Sequence, residues 1–307
     1  MRLQDKIAIV AGGAQGIGEG IVRCLAAEGA DIAVVDVNCD AAGRIVEEVR
    51  EMGRRALPIT ADLTEESQVN RAVRDVVAFF VRIDILVNNV GGVSAEMSQR
   101  MEEHAAVSIQ EADGLPMYMR FSPDIWDRYY QLNLKSHVLL SNAVTPYFIK
   151  QKGGKIVNIS SVSGRLADPD HMPYSAMKAG DISLTWSLAR GLAPYNINVN
   201  CVCPGFIYTQ LWERAANNAL KEVRAIVRQF RDKGEKLPRP LARFTGVDME
   251  SMTPRDYWLK FIVRPNNPLG REQTPEDIGR AVVFFVSDDA RNVTGQVLNV
   301  DGGQIMR

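Results

Sequence analysis

Tyr174 and Lys178 stand four residues apart in the run Tyr174-Ser175-Ala176-Met177-Lys178, downstream of a serine pair at Ser160 and Ser161. On a helix that spacing puts a phenol and an ammonium on one face. The cation there stabilises phenolate and draws the phenol toward ionisation at working pH. A tyrosine tuned in this way can take a proton from an alcohol or return it to a carbonyl, which is general acid/base chemistry. Alone, the pair is equally readable as a surface contact worth about 0.2–0.5 kcal/mol. The elements that would position it therefore carry the argument.

Short β-branched runs recur from residue 6 onward, at Ile7 to Val10, Asp31 to Asp36, Ala56 to Thr60, Ile83 to Asn88, Lys155 to Ile159, Asn196 to Val202 and Gln296 to Val300. Helical patterns separate them. Such alternation predicts βαβ units, a parallel sheet of about seven strands with helices on both faces, and right-handed crossovers that wind it doubly in a Rossmann-type, three-layer α/β/α architecture. Helix starts are marked by Thr64-Glu65-Glu66-Ser67 and by proline behind a hydroxyl at Ser122-Pro123 and Thr274-Pro275.

The first strand opens onto Ala11-Gly12-Gly13-Ala14-Gln15-Gly16-Ile17-Gly18 and then a helix. Glycines let backbone approach a pyrophosphate closely, and the helix N-terminus offers free N–H groups and a positive dipole end. The spacing is G-x-x-x-G-x-G. Asp36, about twenty residues beyond the loop at the end of the second strand, can accept both adenosine ribose hydroxyls and repel a 2′-phosphate. Neither Gln15 nor Val37 is a cation. The expected cofactor is NAD; the alternative for Asp36 is a plain strand end.

With 36 basic and 37 acidic side chains among 307 residues, the chain has no global field for nucleic acid or an anionic membrane. No signal-like start and no run of about 18–20 apolar residues is present, so a cytoplasmic protein is expected. Cys24, Cys39, Cys201 and Cys203 lack zinc-ligand spacing and are expected to be free, partly buried thiols. No metal site is expected.

Two segments interrupt the rhythm, 92–121 and 211–268, and loops so long inside a single domain spanning 1–307 are expected to be functional or to carry helices of their own. The second contains an amphipathic stretch at about Glu213 to Phe230 and six aromatics, Trp212, Phe230, Phe244, Tyr257, Trp258 and Phe261. From Glu213 to Arg264 it holds twelve Lys/Arg against seven acids. Either these are solvated, snorkelling side chains, or the segment is a lid over an apolar or aromatic substrate bearing an anion. His171 is expected to be a solvated loop histidine, and His137, one turn beyond Asn133, a packed or interface one; His104 lies in the first insertion.

Taken together, the glycine loop, Asn88-Asn89-Val90-Gly91, Asn133, Ser161, Tyr174 with Lys178, and Pro204-Gly205-Phe206-Ile207-Tyr208-Thr209 resemble the classical short-chain dehydrogenase/reductase family over nearly everything outside the two insertions. The resemblance implies hydride transfer between NAD and a carbon bearing hydroxyl or carbonyl, interconverting a secondary alcohol or diol and its keto form. It implies Tyr174 as acid/base, Lys178 as its tuner and holder of the nicotinamide ribose, Ser161 on the substrate oxygen and Asn133 positioning a water toward Lys178. For the cofactor it implies Gly12, Gln15, Gly16, Ile17 and Gly18 at the pyrophosphate, Asp62 and Leu63 at adenine, Asn89 and Gly91 as the adenosine-side wall, and Pro204, Gly205, Ile207 and Thr209 on the nicotinamide side. Ala11 and Val90 depart from the family's threonine and alanine without removing a catalytic group. A homotetramer or dimer is implied, while the physiological direction stays open. The rival is a non-catalytic NAD-binding regulator or scaffold on the same fold.

Overall fold

The computed structural model describes residues 1–92, 121–166, 168 and 171–306. They group into two compact units, 1–205 with 275–300, and 206–274 with 301–307.

The first unit is built on a seven-stranded parallel sheet: β1 (Ile7–Ala11), β2 (Asp31–Asp36), β3 (Ala56–Thr60), β4 (Ile85–Asn88), β5 (Gly154–Ile159), β6 (Ile197–Pro204) and β7 (Val297–Val300), in the order β3-β2-β1-β4-β5-β6-β7. All five residues of β1 are buried, as expected of a central strand covered on both faces. Each fully buried Val or Ile of such a strand contributes about 1.5–3 kcal/mol.

The helices of this unit are α1 (Gly16–Ala27), α2 (Cys39–Glu51), α3 (Glu66–Phe80), α4 (Pro123–Tyr130), α5 (Ser136–Lys150) and α6 (Met172–Leu192). In the second unit follow α7 (Gln210–Asp232) and α8 (Pro254–Trp258), and α9 (Pro275–Val286) returns to the first. Every strand expected from sequence is present, with β4 beginning two residues later than expected. The start of α3 also differs. Thr64 does not cap it, because the Asp62 carboxylate accepts both the Thr64 N–H (2.9 Å) and its hydroxyl (2.7 Å), and the helix begins at Glu66. A capping box on Thr253 and Asp256 opens α8.

Strand order reverses between β1 and β4, and the crevice beyond the carboxyl ends of such strands is where open α/β sheets bind ligands. A buried polar chain fixes the helix behind that crevice. Asn88 donates to Asn158 across β4 and β5 (2.8 Å), Asn158 donates to Thr185 on α6 (2.9 Å), and Thr185 donates to the Asp181 carbonyl (2.8 Å). Among the described residues no helix is long and apolar enough to cross a membrane.

The second unit has its own core of Ala216, Leu220, Phe244, Met249, Tyr257, Trp258, Phe261 and Val263. Four of the aromatics noted in the second insertion are therefore core residues of this unit. Three of its arginines are engaged: Arg224 donates to the Met249, Glu250 and Met252 carbonyls, Arg228 pairs with Glu250, and Arg255 with Glu272.

Candidate active site

The glycine loop folds back on β1 and on the turn after β4. Gly12 takes a positive φ of 68°, donates to the Val35 carbonyl (2.8 Å) and accepts from the Asn89 side chain (2.8 Å). A Cβ on Gly18 would lie 1.9 Å from the Gly12 carbonyl oxygen, so that position admits glycine alone. Gly16, Ile17 and Gly18 form the first turn of α1, with Gln15 ahead of it making no side-chain cap. Their N–H groups have no acceptor within the helix, leaving a ready anion site. Asp36, 9% exposed, overhangs this loop: one carboxylate oxygen accepts the Ala14 N–H (3.1 Å), the other the Asn38 N–H (3.0 Å). Each oxygen keeps a further lone pair for a hydroxyl. Asp62 is exposed and Leu63 buried, directly after β3.

The reacting face is carried by α6 and by the helix running into α5. Tyr174 and Lys178 fall within α6, and the Lys178 ammonium lies 5.9 Å from the centre of the Tyr174 ring. Lys178 is buried. It donates to the Ile159 carbonyl (2.9 Å) and to Asp181 (3.0 Å). Burial pushes its pKa down, but the Asp181 and Tyr174 charges outweigh that and hold it above the ordinary lysine value. Asp181, itself fully buried, also meets Nδ1 of His137 at 2.8 Å, while Nε2 of that ring meets the Val90 carbonyl at 2.8 Å. Burial raises the Asp181 carboxyl, and His137 and Lys178 pull it net below the usual carboxylate range.

Asn133 sits in a single π turn, Gln131–Lys135, between α4 and α5, a local widening that often marks functional sites. Its side chain accepts from the Gly92 N–H (2.7 Å) and donates to the Gly92 carbonyl (3.1 Å). Gly91 threads between Asn133 and Lys178: a Cβ there would lie 2.8 Å from Asn133 Oδ1 and 3.0 Å from Lys178 Nζ. Tyr129 of α4 packs edge-on to Tyr174 with ring centres 6.4 Å apart. Burial, then the Tyr174 charge, push the Tyr129 phenol up to about 12, so it stays protonated at working pH.

Ser161 follows β5 and accepts from the Ser163 N–H (3.1 Å), whereas Ser160 donates to the Lys178 carbonyl (2.7 Å) and pins α6. Pro204 ends β6, and Gly205 donates to the Val300 carbonyl (3.0 Å). Ile207 and Thr209 belong to the second unit, Ile207 bridging to Gln273 and Thr209 preceding α7. His171 is an exposed residue at the start of α6, paired with Asp168 at 3.1 Å. His104 and nearly all of the 92–121 insertion lie outside the described residues. Sequence reasoning missed Asp181. An acid three residues after the lysine is its only local signal, and no spacing links it to His137, 44 positions away.

A profile of the short chain dehydrogenase family matches residues 6–219, and one described as enoyl-(acyl carrier protein) reductase matches residues 245–304. The 3-oxoacyl-acyl-carrier-protein reductase FabG of Thermotoga maritima is 32% identical over 306 residues, covering 100% of each chain. Subunit BbsD of the hydroxy(phenyl)methylsuccinyl-CoA dehydrogenase of Thauera aromatica is 30% identical over 305 residues, 99% of this chain and 98% of that one. Among solved structures, a 7 alpha-hydroxysteroid dehydrogenase complexed with NADH and 7-oxo glycochenodeoxycholic acid superposes with a TM-score of 0.74 at 28% identity, over 100% of this chain and 96% of the other.

Proposed function

The chain belongs to the classical short-chain dehydrogenase/reductase family, and on that premise we propose that it is an NAD(H)-dependent oxidoreductase interconverting a secondary alcohol, or a diol, and its ketone. The observation that carries this reading is the buried Lys178 beside Tyr174 on one face of α6. Tyr174 takes the alcohol proton in oxidation and returns it in reduction. Lys178 stabilises the phenolate and, with the donor position that Ile159 and Asp181 leave, holds the nicotinamide ribose. Ser161 donates to the substrate oxygen. Asn133 orders a water that connects Lys178 to solvent.

The residues around the glycine loop suit a dinucleotide, since the Gly18 contact leaves room for no Cβ and the α1 N-terminus is open to a phosphate. Bound NAD supplies the hydride acceptor. Gly12, Gln15, Gly16, Ile17 and Gly18 hold its pyrophosphate, Asp36 its adenosine ribose, Asp62 and Leu63 its adenine. Asn89 and Gly91 form the adjoining wall, and Pro204, Gly205, Ile207 and Thr209 receive the nicotinamide. Asp36, with no cation at Gln15 or Val37, favours NAD over NADP.

The second unit, an elaboration of one domain spanning 1–307, supplies substrate specificity in this proposal. Two relatives support an apolar, acid-bearing substrate: one is named for an aromatic hydroxyacyl-CoA and the other holds a steroid acid. Free thiols at all four cysteines fit a reducing cytoplasm. Replacing Tyr174 by Phe should lower kcat for alcohol-dependent NAD reduction by about 10²–10⁴-fold while leaving NAD binding measurable by calorimetry. Undiminished turnover on a confirmed substrate would refute the mechanism. Failure of the wild-type protein to reduce NAD with any alcohol in a broad panel would favour a non-catalytic NAD-binding regulator.

A further inference from the structure

His137, Asp181 and Lys178 form one buried row, with His137 and Asp181 wholly enclosed and Lys178 3% exposed. The proton count of this row follows from its geometry. The Val90 carbonyl can only accept, so Nε2 of His137 carries a hydrogen. Nδ1 lies 2.8 Å from an Asp181 oxygen. A bare nitrogen lone pair and a bare carboxylate would repel at that distance, so a second proton sits between them. Whichever atom holds it, the His137–Asp181 pair has no net charge.

The consequence bears on Lys178. A lone buried carboxylate 3.0 Å from its ammonium would cancel the positive charge that Tyr174 needs. A carboxylate already neutralised by a histidine gives the ammonium an acceptor and leaves its charge in place. We propose that His137 and Asp181 are positioning residues forming a charge-neutral anchor, which fixes Lys178 and keeps it protonated without cancelling the field it exerts on Tyr174. This rests on the oxidoreductase reading given above.

Among the described residues, few other groups bear on Lys178. Tyr174 shares its helix; Cys201 and Cys203 approach from β6, and Tyr129 acts on Tyr174 from α4. Cys201 is pushed well above the ordinary thiol value by its hydrogen bond to Cys203 and by burial, so it adds no anion in the working range. Cys203 is drawn below the ordinary thiol value by the Cys201 hydrogen bond, so Cys203→Ser serves as its control. His137 also ties the anchor to the turn after β4, through Val90, next to Gly91.

The two members of the anchor have different signatures. Asp181→Asn replaces the carboxylate oxygen that faces Lys178 at 3.0 Å, the negative end of the neutral pair, with an amide, so the lysine should release its proton at lower pH and the alkaline limb of kcat should move down. His137→Gln leaves an uncompensated carboxylate on Lys178, so the acidic limb of alcohol oxidation should move up while the lysine titration does not fall. Heteronuclear NMR of lysine ε-carbons, with the signal assigned from Lys178→Arg, reads the titration without cofactor or turnover and so stands or fails apart from the oxidoreductase reading. Should either single variant unfold, the double variant Asp181→Leu/His137→Leu removes both partners together and leaves no unpaired polar group between them. It should restore the acidic limb toward that of the wild type while lowering the Lys178 titration. A Lys178 titration unchanged in Asp181→Asn and in the double variant, or a loss of kcat with both limbs unmoved, overturns the proposal.

Discussion

At the scale of single residues, chemistry and cofactor choice depend on different carboxylates. Asp36 meets the glycine loop through Ala14 and keeps lone pairs for ribose hydroxyls. Hydrogen bonds to a charged group are worth about 1.5–3 kcal/mol. Asp36→Ala should therefore narrow the NAD over NADP preference in kcat/KM by about 10–150-fold; an unchanged ratio from paired kinetics would show that this acid does not read the ribose. Tyr174 and Lys178 were legible because i,i+4 spacing on a helix is itself a contact. Asn133 was legible only through its resemblance to a family pattern, and the π turn that turns its amide onto Gly92 left no periodic mark. Asp181 and His137 come from helices far apart in sequence, and only the fold brings them together.

The elements were the most readable level, because a parallel sheet buried on both faces demands near-continuous apolar runs, and those runs are plain at β1 and β2. The start of α3 was less readable, since Asp62 competes for the Thr64 hydroxyl that would otherwise cap it. The second insertion shows a different limit. Composition disclosed its aromatics but not that Phe244, Tyr257, Trp258 and Phe261 pack on one another. The junction of β1 and α1 gives the sharpest test at this scale. A methyl group at Gly18 would collide with backbone at Gly12, and overpacking of this kind costs roughly 1–3 kcal/mol. Gly18→Ala should lower Tm and weaken NAD binding together in calorimetry; tight binding with unaltered Tm would mean that the cradle is looser than its distances indicate.

For the whole molecule, Trp186 on α6 is 56% exposed and Tyr195 just beyond it 45%. A large aromatic left in water on a site-bearing helix is what a subunit contact would cover. Sedimentation should give a dimer or tetramer at micromolar concentration, and Trp186→Glu should shift it toward monomer; a wild-type protein that sediments as monomer throughout would exclude this assembly. The strand order also bears on how the protein is made. β1 is synthesised well before its partner β4, which begins at Ile85, 74 residues after Ala11. At a ribosomal rate of about 5–20 residues per second, one edge of the most apolar strand waits roughly 4–15 s for its neighbour. During that interval the nascent chain offers a bare strand edge to any other β-forming segment, so yield in a cell should depend on chaperones that bind extended apolar chain.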